Sequence, residues 1–325
     1  MDLFKNFLTI QALITTLNRL LPLKTFVMDL IYPEAVRRSH PFDRLSKADL
    51  GLPTKNIPLI TRGSVSYPLI HDNIKIEQIE PQNITPSHIV TADDINRFRT
   101  LGLQSQQQFI DNIIDKLRRS ARKTTEAMAI QSITGKIEYD IRNADSSMDV
   151  YKVDFGTPES IAIAKKWDAA GTKAGDVTAS IGQILDSLQK TSDGADIIHL
   201  IKWDVYSALV SLAASLNNSD LIKVFPDYIQ IGTAKFIVCS AKYYSYKNKT
   251  YKDAVADKTV VSIARDDAFG LFYCALDSID ANFAALPFHV SSVKLDDPEG
   301  YKFIGKSRPM PVPNVAAIRT AQVLT

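Results

Sequence analysis

Cysteine is nearly absent from this chain, with Cys239 and Cys274 the two instances in 325 residues. Two thiols 35 positions apart make no zinc pattern and no disulfide framework. They read as small buried hydrophobes, which suits a reducing compartment. Glycine is sparse as well, at 13, so there is little material for a phosphate-cradling loop. No Gly-x-x-x-x-Gly-Lys-Ser/Thr, Gly-x-Gly-x-x-Gly, His-Glu-x-x-His, Gly-x-Ser-x-Gly or EF-hand pattern occurs. The five histidines (40, 71, 88, 199 and 289) are scattered, and none pairs with another at helical spacing, so each reads as structural. The Asp-Asp pairs at 93–94, 266–267 and 296–297 read as caps and solvated turns, because neighbours in a strand point to opposite faces. Neither sign of charge dominates: 38 Lys and Arg face 36 Asp and Glu, a net +2. That balance excludes a dedicated nucleic-acid binder and leaves room for a weakly basic surface. Long apolar runs are missing too. Gln11, Asn18, Arg19 and Lys24 interrupt the apolar N-terminus, so no stretch reaches the ~20 residues of a membrane span, and no signal-peptide core is present. The expectation is no catalytic set, no metal site, no cofactor and no membrane contact.

The remaining composition is that of an ordinary globular protein, 45% hydrophobic and 23% charged. Leu3, Phe7, Ile10, Ile14, Leu17 and Leu21 alternate at spacings of four and three, the seam of an amphipathic helix that Pro22 ends. Such a helix packs either on a partner or on its own core. Residues 25–52 read as an extended arm, with an apolar knot from Phe26 to Tyr32. Period-two alternation follows through Ile57, Leu59, Val65, Tyr67 and Leu69, then Ile74 and Ile76. Five prolines between 53 and 86 confine these strands to short pieces or edges. Such a loop is stable when it lies on another surface.

Thr91 with Asp93 and Asp94 marks a helix start. Phe109, Ile113 and Leu117, flanked by Ile110 and Ile114, place the main helix at Ser105 to Ser132, after a break at Gly102. Lys116, Arg118, Arg119, Arg122 and Lys123 give it a basic patch, which is a contact for DNA or acidic groups, or a solvated face. Gly135 ends the helix, and a hairpin follows with strands at 136–141 and 150–155. Residues 178–286 read as an α/β unit containing a Tyr/Lys-rich turn from Tyr243 to Lys252, and the C-terminal 287–325 is extended and proline-bound.

Taken in order, Leu59-Ile-Thr-Arg-Gly-Ser-Val65, Ile79-Glu-Pro-Gln-Asn-Ile-Thr-Pro86, Ile133-Thr-Gly-Lys-Ile-Glu-Tyr139, Val153-Asp-Phe-Gly156, Trp167, Trp203, Ser307-Arg-Pro-Met-Pro-Val-Pro-Asn314 and Ala321-Gln-Val-Leu324 resemble the major capsid proteins of tailed bacteriophages, lambda-type. The resemblance runs from about residue 25 to the end and does not extend to the helix at 1–24. It implies an α+β capsid fold with an N-terminal helix and arm at 1–54 and an extended β-hairpin loop at 55–90. It further implies a peripheral domain at 91–177 and 286–325 around a long spine helix, and an axial domain at 178–285. The implied role is a non-enzymatic shell subunit of the virion, forming pentamers and hexamers of an icosahedral head that encloses double-stranded DNA and expands from a procapsid. The implied partners are further copies of itself, a scaffolding protein, a portal, a decoration protein and packaged DNA.

Under that reading Arg62 and Lys75 pair with acids of a neighbouring subunit, and Phe7, Ile14 and Leu21 make subunit contacts. Lys116, Arg118, Arg119, Arg122 and Lys123 face DNA or neighbouring acids, and Gly102 is a hinge. The alternatives are a soluble α/β enzyme with Asp204, Tyr243 and Asp266 in a cleft within 178–286, and an adaptor that captures a partner through its N-terminal helix.

Overall fold

The computed structural model describes residues 8–46, 78–99, 102–143, 145–191, 196–215, 221–265 and 269–325. Helices α1 (Ile10–Arg19) and α2 (Phe26–Ile31) come first, then strands β1 (Arg37–His40), β2 (Leu45–Ser46), β3 (Gln78–Ile79) and β4 (Ser87–Thr91). Helices α3 (Ala92–Arg99) and α4 (Leu103–Ser132) lead into the hairpin β5 (Lys136–Arg142) and β6 (Met148–Asp154), followed by β7 (Glu159–Ser160). Next are α5 (Ala174–Gln189), β8 (Asp196–Ile201), α6 (Trp203–Ser215), β9 (Ile222–Val224), β10 (Tyr228–Ile231) and β11 (Ala234–Val238). The chain then runs through β12 (Lys242–Ser245), β13 (Thr250–Asp253), β14 (Thr259–Arg265), β15 (Gly270–Cys274), β16 (His289–Asp296), β17 (Glu299–Lys306), β18 (Pro309–Val312) and β19 (Ile318–Gln322).

The chain divides into two compact units. Of the described residues, those within 8–46, 78–128 and 271–311 make up one, and those within 129–270 and 312–325 make up the other. The division falls inside α4, after Met128.

In the first unit the apolar stripe of α4 (Ile110, Ile113, Ile114 and Leu117) packs with Val90 of β4, Val290 of β16 and Phe303 of β17. These three strands form an antiparallel sheet in the order β16–β17–β4. Thr91 and Asp94 cap α3 reciprocally: Asp94 N–H donates to Thr91 Oγ1 at 3.3 Å, and Thr91 N–H donates to Asp94 Oδ2 at 3.1 Å. Helix α1 closes the core with Leu13, backed by Leu8, Leu17 and Leu20. The reading of α1 as packed on its own core therefore describes these residues. The buried stripe differs from the seam of Ile10, Ile14, Leu17 and Leu21, because Leu13 points inward while Ile10 and Leu21 stay exposed. Packing decides this orientation. Burying one leucine contributes about 2 kcal/mol, whereas the Arg19–Asp111 ion pair, whose arginine is exposed, contributes about 1 kcal/mol.

The second unit is built on a seven-stranded mixed sheet in the order β7–β19–β14–β8–β11–β10–β9. Strand β8 is central, parallel to β11 and antiparallel to β14. Its His199 is buried, stacks on Phe236 with centroids 4.7 Å apart, and bonds Ser262 Oγ through Nδ1 at 2.7 Å. Desolvation lowers its pKa to about 4, so this imidazole is neutral and structural. The C-terminal strand β19 lies between β14 and β7. Arg319 on β19 is buried and donates to Ser187 O and Oγ, Thr191 Oγ1, and the carbonyls of Ala316 and Ile318, which ties α5 to this strand.

Three sequence readings need correction. Phe26–Ile31 is a short helix and not part of an extended arm. The supposed turn from Tyr243 to Lys252 is a two-stranded hairpin, β12–β13, with Tyr244 opposite Tyr251. Helix α5 begins at Ala174, ahead of residue 178, where the sequence reading starts the α/β unit.

Candidate assembly site on the long helix

Polar residues Gln107, Asp111, Asp115, Arg118, Arg122 and Glu126 recur every three or four positions along α4 and so share one face. This face holds the N-terminal segment in register. Gln107 Nε2 donates to Thr16 Oγ1 at 3.0 Å. Arg19 Nη2 reaches Asp111 Oδ2 at 2.5 Å. Arg118 Nη2 donates to the carbonyl of Leu21 at 2.6 Å. Arg122 Nε donates to Thr25 Oγ1 at 3.1 Å, and its Nη2 pairs with Asp29. Glu126 accepts the N–H groups of Val27 and Met28, one on each carboxylate oxygen, both at 2.7 Å. Residues 16 to 28 thus run in the same direction as residues 107 to 126.

The chemistry explains why the strap is fixed where it is. Residues 20–25 lie outside helix and strand, so their carbonyls and N–H groups have no ladder of their own. Arg118 satisfies one of them. The first N–H groups of α2 have no intrahelical acceptor, and the Glu126 carboxylate takes two of them. Burial pushes the Glu126 carboxyl above its ordinary value, outweighing those two N–H groups. Burial also pushes Asp29 up, but the Thr25 N–H and the guanidinium groups of Arg37 and Arg122 outweigh it and hold Asp29 below the usual carboxylate value. Arg37 Nε donates in addition to Tyr32 O at 2.9 Å, which closes the far end of the strap.

The five-residue basic patch divides. Arg118 and Arg122 turn inward, with side chains 15% exposed, and their partners belong to their own chain. Arg119 is 68% exposed and pairs with Asp115 at 2.5 Å. Lys116 and Lys123 are exposed and form no ion pair with any described residue. Gly102 is exposed at the start of α4; its carbonyl accepts Ser105 N–H at 3.0 Å and Gln106 N–H at 3.2 Å. Ile14 is half-buried, and Leu21 is 83% exposed. Phe7, Arg62, Lys75 and Asp266 lie outside the described residues. Of the enzyme alternative, Asp204 in the first turn of α6 accepts Val205 N–H at 2.7 Å and Lys258 N–H at 2.5 Å, while burial pushes the Tyr243 phenol up beside Gln131. Asp204 and Tyr243 share no hydrogen bond. Glu126 and Asp29, the two acids of the strap, were not singled out in the sequence. The available signal was the spacing of Arg118, Arg122 and Glu126, four apart on one helix face.

Among the described residues no helix is long and apolar enough to cross a membrane. No curated protein matches the chain by sequence. The structure of a prophage capsid protein from E. coli CFT073 is similar over 97% of this chain and 99% of that one, with 16% identity and a TM-score of 0.62. The capsid of a native GTA particle is similar at 9% identity, covering 94% of this chain and 93% of that one, with a TM-score of 0.47. A virus-like particle from Pyrococcus furiosus is similar at 8% identity, covering 99% of this chain and 100% of that one, with a TM-score of 0.41. The first of these shows the fold: α+β, of the phage capsid type. The family model described as phage major capsid protein E matches residues 9–323. The chain therefore belongs to the phage major capsid protein E family, and its role is that of a structural protein of the virion capsid.

Proposed function

We propose that this chain assembles into pentamers and hexamers of an icosahedral head, encloses double-stranded DNA, and passes from a procapsid to an expanded shell. The observation that carries this reading is the extent of the family match, from residue 9 to residue 323, which includes the strap. In this reading the segment at 1–54 and the loop at 55–90 reach neighbouring subunits, with Arg62 and Lys75 pairing to acids and Phe7, Ile14 and Leu21 in subunit contacts. The exposure of Leu21 supports its part in this. Residues 91–177 and 286–325 are peripheral, and 178–285 gather around the symmetry axes. A scaffolding protein, a portal and a decoration protein are the remaining partners. Each contact can be weak, because a closed particle engages many at once.

Light scattering on the purified chain, alone and with scaffolding protein, tests the reading. Particles far above the 36.1 kDa of one chain are expected, and a monomer under both conditions would contradict it. Expansion needs a hinge, and Gly102 at the start of α4 is the proposed one. Gly102→Pro is expected to block folding or expansion. Expansion of that variant at the wild-type rate, followed by the sedimentation of heads, removes Gly102 from this role.

A further inference from the structure

Three cations that form no ion pair with any described residue lie close together in sequence on the β12–β13 hairpin. Lys247, Lys249 and Lys252 are exposed and form no ion pair with any described residue. The single acid of the two strands, Asp253, is already bridged by Lys242 at 3.1 Å and Lys202 at 2.8 Å. The turn is fixed, because Lys247 N–H donates to Asp140 Oδ2 at 2.9 Å. Between the lysines lies an aromatic group. Tyr244 packs edge-on against Tyr246 at 5.1 Å and against Tyr251 at 5.2 Å, and the outer two rings are 59% and 70% exposed.

We propose that this hairpin is a docking surface for the phosphate backbone of a nucleic-acid duplex. Lys247, Lys249 and Lys252 neutralise phosphates, and the hydroxyls of Tyr246 and Tyr251 donate to phosphate oxygens. Lysine and tyrosine both serve as phosphate donors. The composition points away from a protein partner: tyrosine is enriched in protein interfaces, but lysine is depleted from them. Such contacts carry no sequence information and are weak one at a time, which agrees with a net charge of only +2. A shell of many copies makes them collectively effective. The inference deepens the reading of a head around DNA and rests on it for the identity of the ligand. Its test uses the unassembled chain, so the two fail separately.

The test is fluorescence anisotropy of a labelled random-sequence DNA duplex with the full chain, titrated between roughly 50 and 200 mM salt. Three lysines, each neutralising one phosphate, contribute about −2.7 to the slope of log affinity against log salt. Replacing Lys247, Lys249 and Lys252 together by alanine is expected to make the slope shallower by about that amount. Replacing Tyr246 and Tyr251 by alanine is expected to weaken binding with the slope unchanged. Melting curves by circular dichroism confirm that each variant is folded. Wild-type affinity and slope in the triple variant overturn the proposal. So does a slope that falls only when Lys116 and Lys123 are replaced. A triple variant that binds duplex normally but no longer assembles overturns it as well, and assigns the hairpin to a second copy of the chain.

Discussion

Arg122→Ala is expected to destabilise the first unit by about 2 kcal/mol, between the loss of an exposed ion pair and that of a buried one, because Arg122 and Asp29 are both half-buried. Arg122 holds two points of the strap together, the Thr25 hydroxyl and the Asp29 carboxylate. Its removal leaves Asp29 with Arg37 as its remaining cation, and Asp29 is only partly open to water. Arg37 limits the loss, since it still pairs with Asp29. Arg119→Ala is the matched control on the same helix. Arg119 is solvent-exposed and pairs with Asp115, and such a pair contributes at most about 1 kcal/mol. Urea unfolding of both variants gives the comparison. Limited proteolysis adds a local readout, since Arg122→Ala is expected to open cleavage between Leu20 and Tyr32 while Arg119→Ala is not. Equal stability of the two variants would mean that the strap is held by Leu13 and its apolar neighbours alone.

Gly135→Ala is expected to destabilise the second unit by about 3 kcal/mol or more. Gly135 ends α4 and turns the chain into β5 with φ +75, a conformation that costs an L side chain about 1–2 kcal/mol. Space is lacking as well. A Cβ there would lie 2.2 Å from the carbonyl oxygen of Gly156 and 3.3 Å from Pro158 Cδ, and a backbone carbonyl cannot swing aside as a side chain can. The Phe155 N–H to Gly135 O bond at 2.8 Å ties the two segments together, so relief of the clash opens the base of the hairpin. Gly171→Ala separates the two causes. Gly171 has φ +72 but nothing within 4 Å of its Cβ position, so it carries the conformational cost alone, about 1 kcal/mol. Thermal melts of the two variants that coincide would show that the Gly156 contact yields.

Local signals were legible in the sequence. The cap at Thr91 and Asp94, the end of α4 at Gly135 and the β5–β6 hairpin were readable because each is set by neighbours a few residues away. The start of the long helix was read two residues late, at Ser105, because Leu103 is exposed and outside the apolar stripe. What escaped depends on distant partners. Helix α2 has six residues, too few for a periodic pattern, and its free N–H groups are taken by Glu126, about a hundred positions on. The hydrophobic face of α1 was misplaced by one position, Leu13 for Ile14, because a heptad-like seam and a core-facing stripe overlap on a ten-residue helix. For the basic patch, helical spacing alone separates Arg118 and Arg122 from Lys116, Arg119 and Lys123. Only the folded position of Thr25 and Asp29 shows which line faces inward.

Electron cryomicroscopy of particles formed by the purified chain, alone and with the scaffolding protein proposed above, is the decisive measurement. Closed icosahedral shells built of pentamers and hexamers are expected, with residues 8–31 lying along α4 of the same chain in every subunit. A preparation that contains only monomers or dimers would contradict it.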